Sequence, residues 1–538
     1  MGRYNTAGAR ASGRSAVLTE ERPTGRTHEG GAGHARDDRS ELFLSAVSSF
    51  TDNTFYESES ARLARQRELI ARVAIDDPDW TLGFLRWLRA DARIRTASLI
   101  LAAEAVKARV DAGVNTAPEG TRADPNPRGY NRLFIDAVCQ RADEPGEMLA
   151  YWATQHGAAL PMSVKAGVAD AVGRLYTERS LLKYDGAGKA YRFGRVIELT
   201  HPRPVRPFQR QLFPYAISRH HNDEKRSMSG LSMIQANERV RGYGPEVIKA
   251  LAADGRLAEE LSEAGMNWED IPALVNGPWT ARLWEAIIPS MGVMALMRNL
   301  RNFDAAGVGD NAARLIASRF ADAEEVERSR ILPMRVLAAY RNAPNVRWVA
   351  PLEAALQNSL ANIPALDGHT LILVDRSASM FNRAADRSQL NYADTAAIFG
   401  TALALRAQKS TLVQFGTTAA TVEVPKGGSV LPMLDRFYEL GGTNTARAIR
   451  EHLTGAHTRV VILTDEQHAG YQTSYSPETL SQLVPGDVPM HTFNLVGYRY
   501  GHTGTGHNRF TYGGLSDSSW SLLELTERGA HRRWPWQA

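Results

Sequence analysis

Three short polar stretches carry the residues best suited to chemistry. Asp375-Arg376-Ser377-Ala378-Ser379, a D-x-S-x-S pattern, follows the apolar run Thr370-Leu-Ile-Leu-Val374; Gly441-Gly442-Thr443-Asn444-Thr445 and Leu463-Thr464-Asp465 come later. The carboxylates of Asp375 and Asp465 with the hydroxyls of Ser377, Ser379 and Thr443 form a hard, all-oxygen donor set. Completed by water, such a set suits octahedral Mg²⁺ or another divalent cation rather than a thiolate-seeking metal. Each stretch taken singly is short, and a Ser/Asp turn also serves simply to cap the helix that follows it. Arg376 and Glu466 place further charges beside the donors. Phosphodiester hydrolysis usually draws on several acidic ligands and often two metals. Two acids and three hydroxyls are better suited to leaving one coordination position for a partner's carboxylate or a phosphate.

A second concentration of chemistry lies between Lys183 and Arg226. Ten cations (Lys183, Lys189, Arg192, Arg195, Arg203, Arg206, Arg210, Arg219, Lys225, Arg226) face four acids (Asp185, Glu198, Asp223, Glu224), and this local excess is larger than the net +4 of the whole chain. Tyr191, Phe193, Phe208, Phe213, Tyr215, His201, His220 and His221 are interleaved with them. Cations that neutralise phosphates and rings that stack on unpaired bases are the ingredients of a single-stranded nucleic-acid surface. The prolines at 202, 204, 207 and 214 predict an extended strip rather than a helix. The structural alternative is that the rings are core and the arginines a solvated rim. Arg298 and Arg301, on a helix after Met291, form a second candidate, for which a helix-surface salt bridge is an equal account.

The elements that must position these residues fall into two classes. From Glu41 to about Ala365 the chain is a succession of helical patterns broken by Pro, Gly and Asn. Asp77 is placed to cap a helix opened by Pro78, with Trp80, Phe84, Trp87 and Leu88 on one face. Similar patterns cover 97–110, 130–141, 163–183, 245–261, 281–300 and 328–341, with no fixed repeat period. After His369 strands and helices alternate: strands over 370–374, 410–415, 459–464 and 490–496, and helices over 392–407, 444–453 and 518–527. That alternation predicts a doubly wound α/β domain, whose carboxyl edge would gather the three oxygen-rich loops. Three segments result: residues 1–40 as a disordered tail, 41–367 as an all-α domain and 368–538 as the α/β domain.

Composition narrows the function classes. The chain has 538 residues, 43% hydrophobic and 23% charged, with one cysteine, Cys139. These values exclude a wholly disordered or collagen-like chain, and a lone thiol can neither close an intramolecular disulfide nor build a multi-cysteine zinc site. No apolar run reaches a membrane span and the first 40 residues lack a signal-like apolar core, so a soluble, cytoplasmic protein with no membrane partner is expected. No G-x-S-x-G, H-E-x-x-H or Walker A pattern is present, and Gly501-His-Thr-Gly-Thr-Gly506 lacks the lysine and helix start of a phosphate loop, so it reads as a flexible loop. The sequence reads as that of a binding protein, not an enzyme.

The three oxygen-rich loops resemble the metal-ion-dependent adhesion site of von Willebrand factor A domains, which implies Asp375, Ser377 and Ser379, then Thr443, then Asp465 as the Mg²⁺ ligands. The whole layout resembles the Ro autoantigen family of TROVE-domain proteins. The resemblance rests on Thr54-Phe55-Tyr56, Leu160-Pro-Met-Ser-Val-Lys165, Gly173-Arg174-Leu175-Tyr176, Arg192-Phe-Gly-Arg195 through Leu199-Thr-His-Pro202, Ile288 through Leu300, Arg330-Ile-Leu-Pro333 and the Asp375 loop. It implies a HEAT-like helical ring followed by the A domain. It also implies small noncoding (Y-like) RNA on the outer surface, single-stranded 3′ ends of misfolded RNA in the hole, and a role in RNA quality control. Polynucleotide phosphorylase, a 3′-to-5′ exoribonuclease, is the partner nuclease the family implies. His201 falls where the family has an RNA-contacting histidine, whereas the family's preceding basic residues do not match position for position; with the cations of the local charge excess, Lys183, Lys189, Arg192, Arg195, His201, Arg203 and Arg206 are the expected RNA residues. A second reading makes the A domain a metal-dependent protein-interaction module carried on a helical scaffold without RNA binding.

Overall fold

The computed structural model describes residues 15–48, 57–119, 128–223, 227–381, 391–424, 429–468, 480–515 and 534–537, together with residue 523 and apart from positions 29, 276, 330, 332, 344, 361, 362, 364 and 505. Residues 54–56, Lys225, Arg226 and the expected 518–527 helix lie outside the described residues, except for position 523. The chain divides into two compact units. One comprises residues 77–90 and 98–359; the other joins residues 1–76 and 91–97 to 360–538.

The first unit is helical. Its opening helix, Pro78–Ala90, forms as its pattern predicts: the Asp77 Oδ1 accepts from the Trp80 N–H at 2.9 Å, and Trp80, Phe84, Trp87 and Leu88 are all buried. Several expected helices are broken by local chemistry. The 163–183 pattern becomes Met162–Leu175 and Glu178–Tyr184, because Thr177 and Ser180 form a reciprocal capping box that starts a new helix. The 245–261 pattern becomes Pro245–Ala253 and Leu257–Glu263 around a turn at Asp254 to Arg256. The 281–300 pattern divides at Ile288–Ser290, where Pro289 interrupts it, and resumes as Val293–Ala306.

The second unit is built on a six-stranded sheet. Its strands are β3 Leu366–Asp375, β4 Ala407–Phe415, β5 Ala419–Val422, β6 Arg459–Thr464, β7 Met490–Asn494 and β8 Arg509–Gly513, after a small antiparallel pair, β1 Gly25–Arg26 and β2 Ala32–Gly33. The order is β5-β4-β3-β6-β7-β8, parallel except for β5. The edge strands β5 and β8 are additions to the sequence expectation. Leu371, Leu373, Val413, Phe415, Val460, Ile462 and Met490 bury one face of the sheet in a common core. Helix Tyr392–Arg406 packs so close to the sheet that a Cβ on Gly400 would meet the Val374 Cγ2 at 2.5 Å. The chain runs from β3 to β4 on one side and later places β6 on the other, which makes the carboxyl ends of β3 and β6 the topological switch point.

The N-terminal segment departs from expectation. Residues 15–40 are not a free tail: Ser15, Thr27, His34, Arg36 and Ser40 are buried, and the segment is bonded to the α/β fold. The Ser15 hydroxyl donates to the Thr511 carbonyl, the Gly31 N–H to the His468 carbonyl at 3.2 Å, and the His34 N–H to the Gly501 carbonyl at 3.0 Å. The helices Asp38–Ser48 and Glu59–Asp76 belong with this unit rather than with the helical one. Backbone donors and short polar side chains replace the large apolar residues whose scarcity made the segment read as unfolded. The 501–506 stretch is likewise packed at its start, with Gly501, His502 and Thr503 buried. Trp534 stacks on Trp536 and meets Phe43 edge-on at 5.2 Å, so the last tryptophans pack on helix Asp38–Ser48. Among the described residues, no helix is long and apolar enough to cross a membrane.

Candidate functional site

The switch point brings the three oxygen-rich loops together. Asp375, at the end of β3, and Asp465, just past β6, are fully buried, and Ser377, Ser379 and Thr443 are nearly so. Asp375 is fixed on both oxygens: Oδ1 accepts from the Ser377 N–H at 2.9 Å and Oδ2 from the Thr464 hydroxyl at 2.5 Å. The Ser377 and Ser379 hydroxyls lie 3.2 Å apart, the Ala378 N–H donates to the Gly441 carbonyl at 2.7 Å, and the Gln467 N–H donates to Asp465 Oδ1 at 3.1 Å. Thr464, part of the third oxygen-rich stretch but not one of its expected donors, fixes Asp375 through its hydroxyl.

The electrostatics of the loops favour a cation. Burial pushes the Asp375 carboxyl up to about 6, against the lowering effect of its hydrogen bonds from Thr464 and Ser377 and of the Arg376 charge. Two buried carboxylates on one sheet edge are costly without a compensating positive charge. The Thr443 Oγ1 is buried with no hydrogen-bond partner, an atom in want of a ligand. Of the two neighbouring charges, Arg376 offsets the cost of the buried carboxylates only in part, as its lowering effect on Asp375 shows, and Glu466 does not. Arg376 turns aside, its guanidinium 4.6 Å from the Phe381 ring centre and 5.8 Å from that of Phe437, with Nε donating to the Tyr438 carbonyl. Glu466, in the left-handed region at φ 63°, is buried and neutralised by Arg36, with Asn494 donating to the same oxygen. The donor set therefore fits a hard divalent cation.

In the helical unit the basic stretch is less extended than its prolines imply. Residues 193–200 and 209–220 are helices, and only 201–208 between them is irregular. Pro214 lies inside the second helix. Phe193, Phe213 and Tyr215 are buried, and Phe193 stacks on Tyr176 at 3.7 Å, so these three rings are core and do not form a base-stacking row. Lys183, Lys189, Arg195, His201, Arg203, Arg206 and Arg210 are exposed. Arg192 is half-buried and pairs with the buried Asp185 at 2.9 Å, while its Nη1 donates to the Arg219 carbonyl. Arg298 and Arg301 are exposed on helix Val293–Ala306.

His201 ends the first of these helices with φ 48° and ψ 53°, its N–H donating to the Ile197 carbonyl at 2.9 Å. A left-handed backbone is unusual for a residue with a side chain, and here it leaves the imidazole exposed beside a hollow. Ile197, Pro202, Pro204, Arg210, Phe213 and Ile217 line that hollow, of about 560 Å³. Cys139 is buried, which pushes its thiol well up and makes it inert.

Comparison with known proteins matches these two units. The TROVE domain family matches residues 261–407, running past the expected boundary at 367 into the first strand and helix of the α/β unit. No curated protein is significantly similar to the chain. Among solved structures, the chain is similar to the crystal structure of the Deinococcus radiodurans RO (RSR) protein, with a TM-score of 0.61 and 18% identity over 92% of this chain and 100% of that one. The chain thus carries a TROVE-domain match over residues 261–407 and shares the fold of that Ro protein.

Proposed function

We propose that the protein binds small noncoding, Y-like RNA together with the single-stranded 3′ ends of misfolded RNA, in RNA quality control or stress-linked processing. The observation that carries this reading is the exposed basic surface around a strained, exposed His201: Lys183, Lys189, Arg195, Arg203 and Arg206 stand in one stretch of the helical unit. Cations of this kind hold phosphates without reading sequence, and the hollow beside His201 offers an apolar wall to an unpaired base. Arg192 enters as a positioning residue: its pairing with Asp185 ties the start of helix Phe193–Thr200 to the preceding turn. The TROVE-domain match over residues 261–407 and the fold shared with a Ro protein support the RNA reading, and the quality-control role and a 3′-to-5′ exoribonuclease partner such as polynucleotide phosphorylase are proposed with it.

In the α/β unit, Asp375, Ser377, Ser379, Thr443 and Asp465 would hold Mg²⁺. A bound cation would supply an open coordination position for an anionic oxygen. The protein's own part is to fix the donors through Thr464, Ser377 and the Ala378 to Gly441 bond. No catalytic step is assigned to them.

Purification of the protein from its native cells at low salt with Mg²⁺, followed by sequencing of any nucleic acid carried with it, tests the reading. One or a few small structured RNAs, released by raising the salt, are expected. Protein free of RNA yet stabilised by Mg²⁺ would favour the α/β unit as a metal-dependent protein-binding module.

A further inference from the structure

His220, the last residue of helix Gln209–His220, and His221 just past it have no part in the RNA surface proposed above. His221 Nε2 lies 2.5 Å from Glu198 Oε1, and the His220 and His221 rings are 4.9 Å apart. One ligand atom from each of Glu198, His220 and His221 lies within 4.8 Å of the other two. We propose that Glu198, His220 and His221 form a site for a borderline transition-metal ion of the Zn²⁺ class, with one coordination position left open.

Four features support it. Two imidazoles and one carboxylate are the donor set of three-ligand zinc sites, whereas Mg²⁺ and Ca²⁺ prefer oxygen alone. The ligands come from two helices held in fixed register: a Cβ on Gly194 would sit 2.4 Å from the Ala216 carbonyl and 2.6 Å from the His220 Cβ, so the backbones touch where the site begins. One ring nitrogen of His220, Nδ1, is buried and has no hydrogen-bond partner. Finally, the site stands at the carboxyl end of helix Gln209–His220, where the helix dipole favours positive charge. His221 is exposed and lies just past the last helical residue; its ring and the Glu198 carboxylate, in direct contact in the metal-free chain, would move apart to admit an ion with bonds of about 2 Å to each.

Among the described residues, Arg195 is the cation paired with Glu198, its Nη1 3.9 Å from Oε2. Glu198 has two oxygens, and Oε1 is the one that faces His221.

Titration of the chelator-treated full chain with Co²⁺ and Zn²⁺, in the absence of RNA, decides the matter independently of the RNA reading. The expected result is one equivalent bound at micromolar concentration with a four- or five-coordinate Co²⁺ absorption band, displaced by Zn²⁺ and not by millimolar Mg²⁺. His221→Ala and Glu198→Gln, both at the surface, should each weaken binding at least tenfold with unchanged circular dichroism, and Asp375→Ala should leave it intact. No uptake by the wild-type chain, or full uptake by both variants, would reduce the cluster to a plain His–Glu ion pair and overturn the proposal.

Discussion

Arg36 and Glu466 form an ion pair with no solvent exposure on either side chain, joining two points 430 residues apart in sequence. Arg36 also donates to the Tyr498 carbonyl at 2.6 Å. Glu466 follows directly on Asp465, so the N-terminal segment holds the third oxygen-rich loop in place and removes a negative charge that would otherwise add to those of Asp375 and Asp465.

Removing one partner of a buried pair leaves the other charge stranded, at a cost of about 3–5 kcal/mol. Arg36→Ala should therefore lower the stability of the α/β unit by roughly 3 kcal/mol in urea unfolding. A loss below about 1 kcal/mol would mean that Asn494 and His502 suffice to hold Glu466.

The same junction should be acid-labile. Burial, reinforced by the charges of Arg36 and His34, lowers His502 to about 3, and burial also lowers His34. The unfolded chain titrates near 6.5 and so binds more protons than the folded one between that value and 3. Stability is then full above pH 6.5 and is lost as the pH falls toward 3, by about 2 kcal/mol at pH 5 for His502 alone. His502→Asn should flatten the pH dependence of the melting temperature over this window. An unchanged slope would show that other groups govern it.

Thr443→Val separates the cation role from packing. Its hydroxyl is buried and unpartnered, so replacing it with a methyl group of similar size should leave the metal-free protein as stable or up to about 1–3 kcal/mol more stable. The thermal shift produced by Mg²⁺ should shrink in this variant and vanish in Asp375→Ala, with RNA affinity unchanged in both. A full Mg²⁺ shift in Asp375→Ala would place the cation elsewhere.

Much of this site was legible in the sequence, because its ligands sit at strand ends whose apolar runs, 370–374 and 459–464, are self-contained signals. The face made by Trp80, Phe84, Trp87 and Leu88 was legible for the same reason. Docking of residues 15–40 was not: it depends on polar bonds to residues beyond 460, and no local periodicity encodes those. The burial of Phe193, Phe213 and Tyr215 was hidden too, because a ring among arginines reads alike as core or as stacking platform until the helices around it are placed. The breaks at Thr177 and Pro289 were written in capping and proline chemistry but masked by the continuing apolar period.

His201→Gly should trade function for stability. Glycine takes the left-handed conformation without the roughly 1 kcal/mol that a side chain costs there, so the melting temperature should hold or rise. RNA affinity should fall at the same time. Unaltered RNA binding would remove the imidazole from the interface.

The central claim is that exposed cations of the helical unit hold RNA by its phosphates. Fluorescence anisotropy with a structured RNA carrying a single-stranded 3′ tail, at a series of salt concentrations, tests it most directly. Binding limited by six to ten phosphate contacts loses about 10³–10⁵ in affinity between ~50 and ~200 mM salt. The variant Lys183→Ala, Lys189→Ala, Arg195→Ala, Arg203→Ala, Arg206→Ala, which spares the structural Arg192, should bind far more weakly and with a shallower salt slope. Equal affinity and an equal slope in wild type and variant would contradict the account.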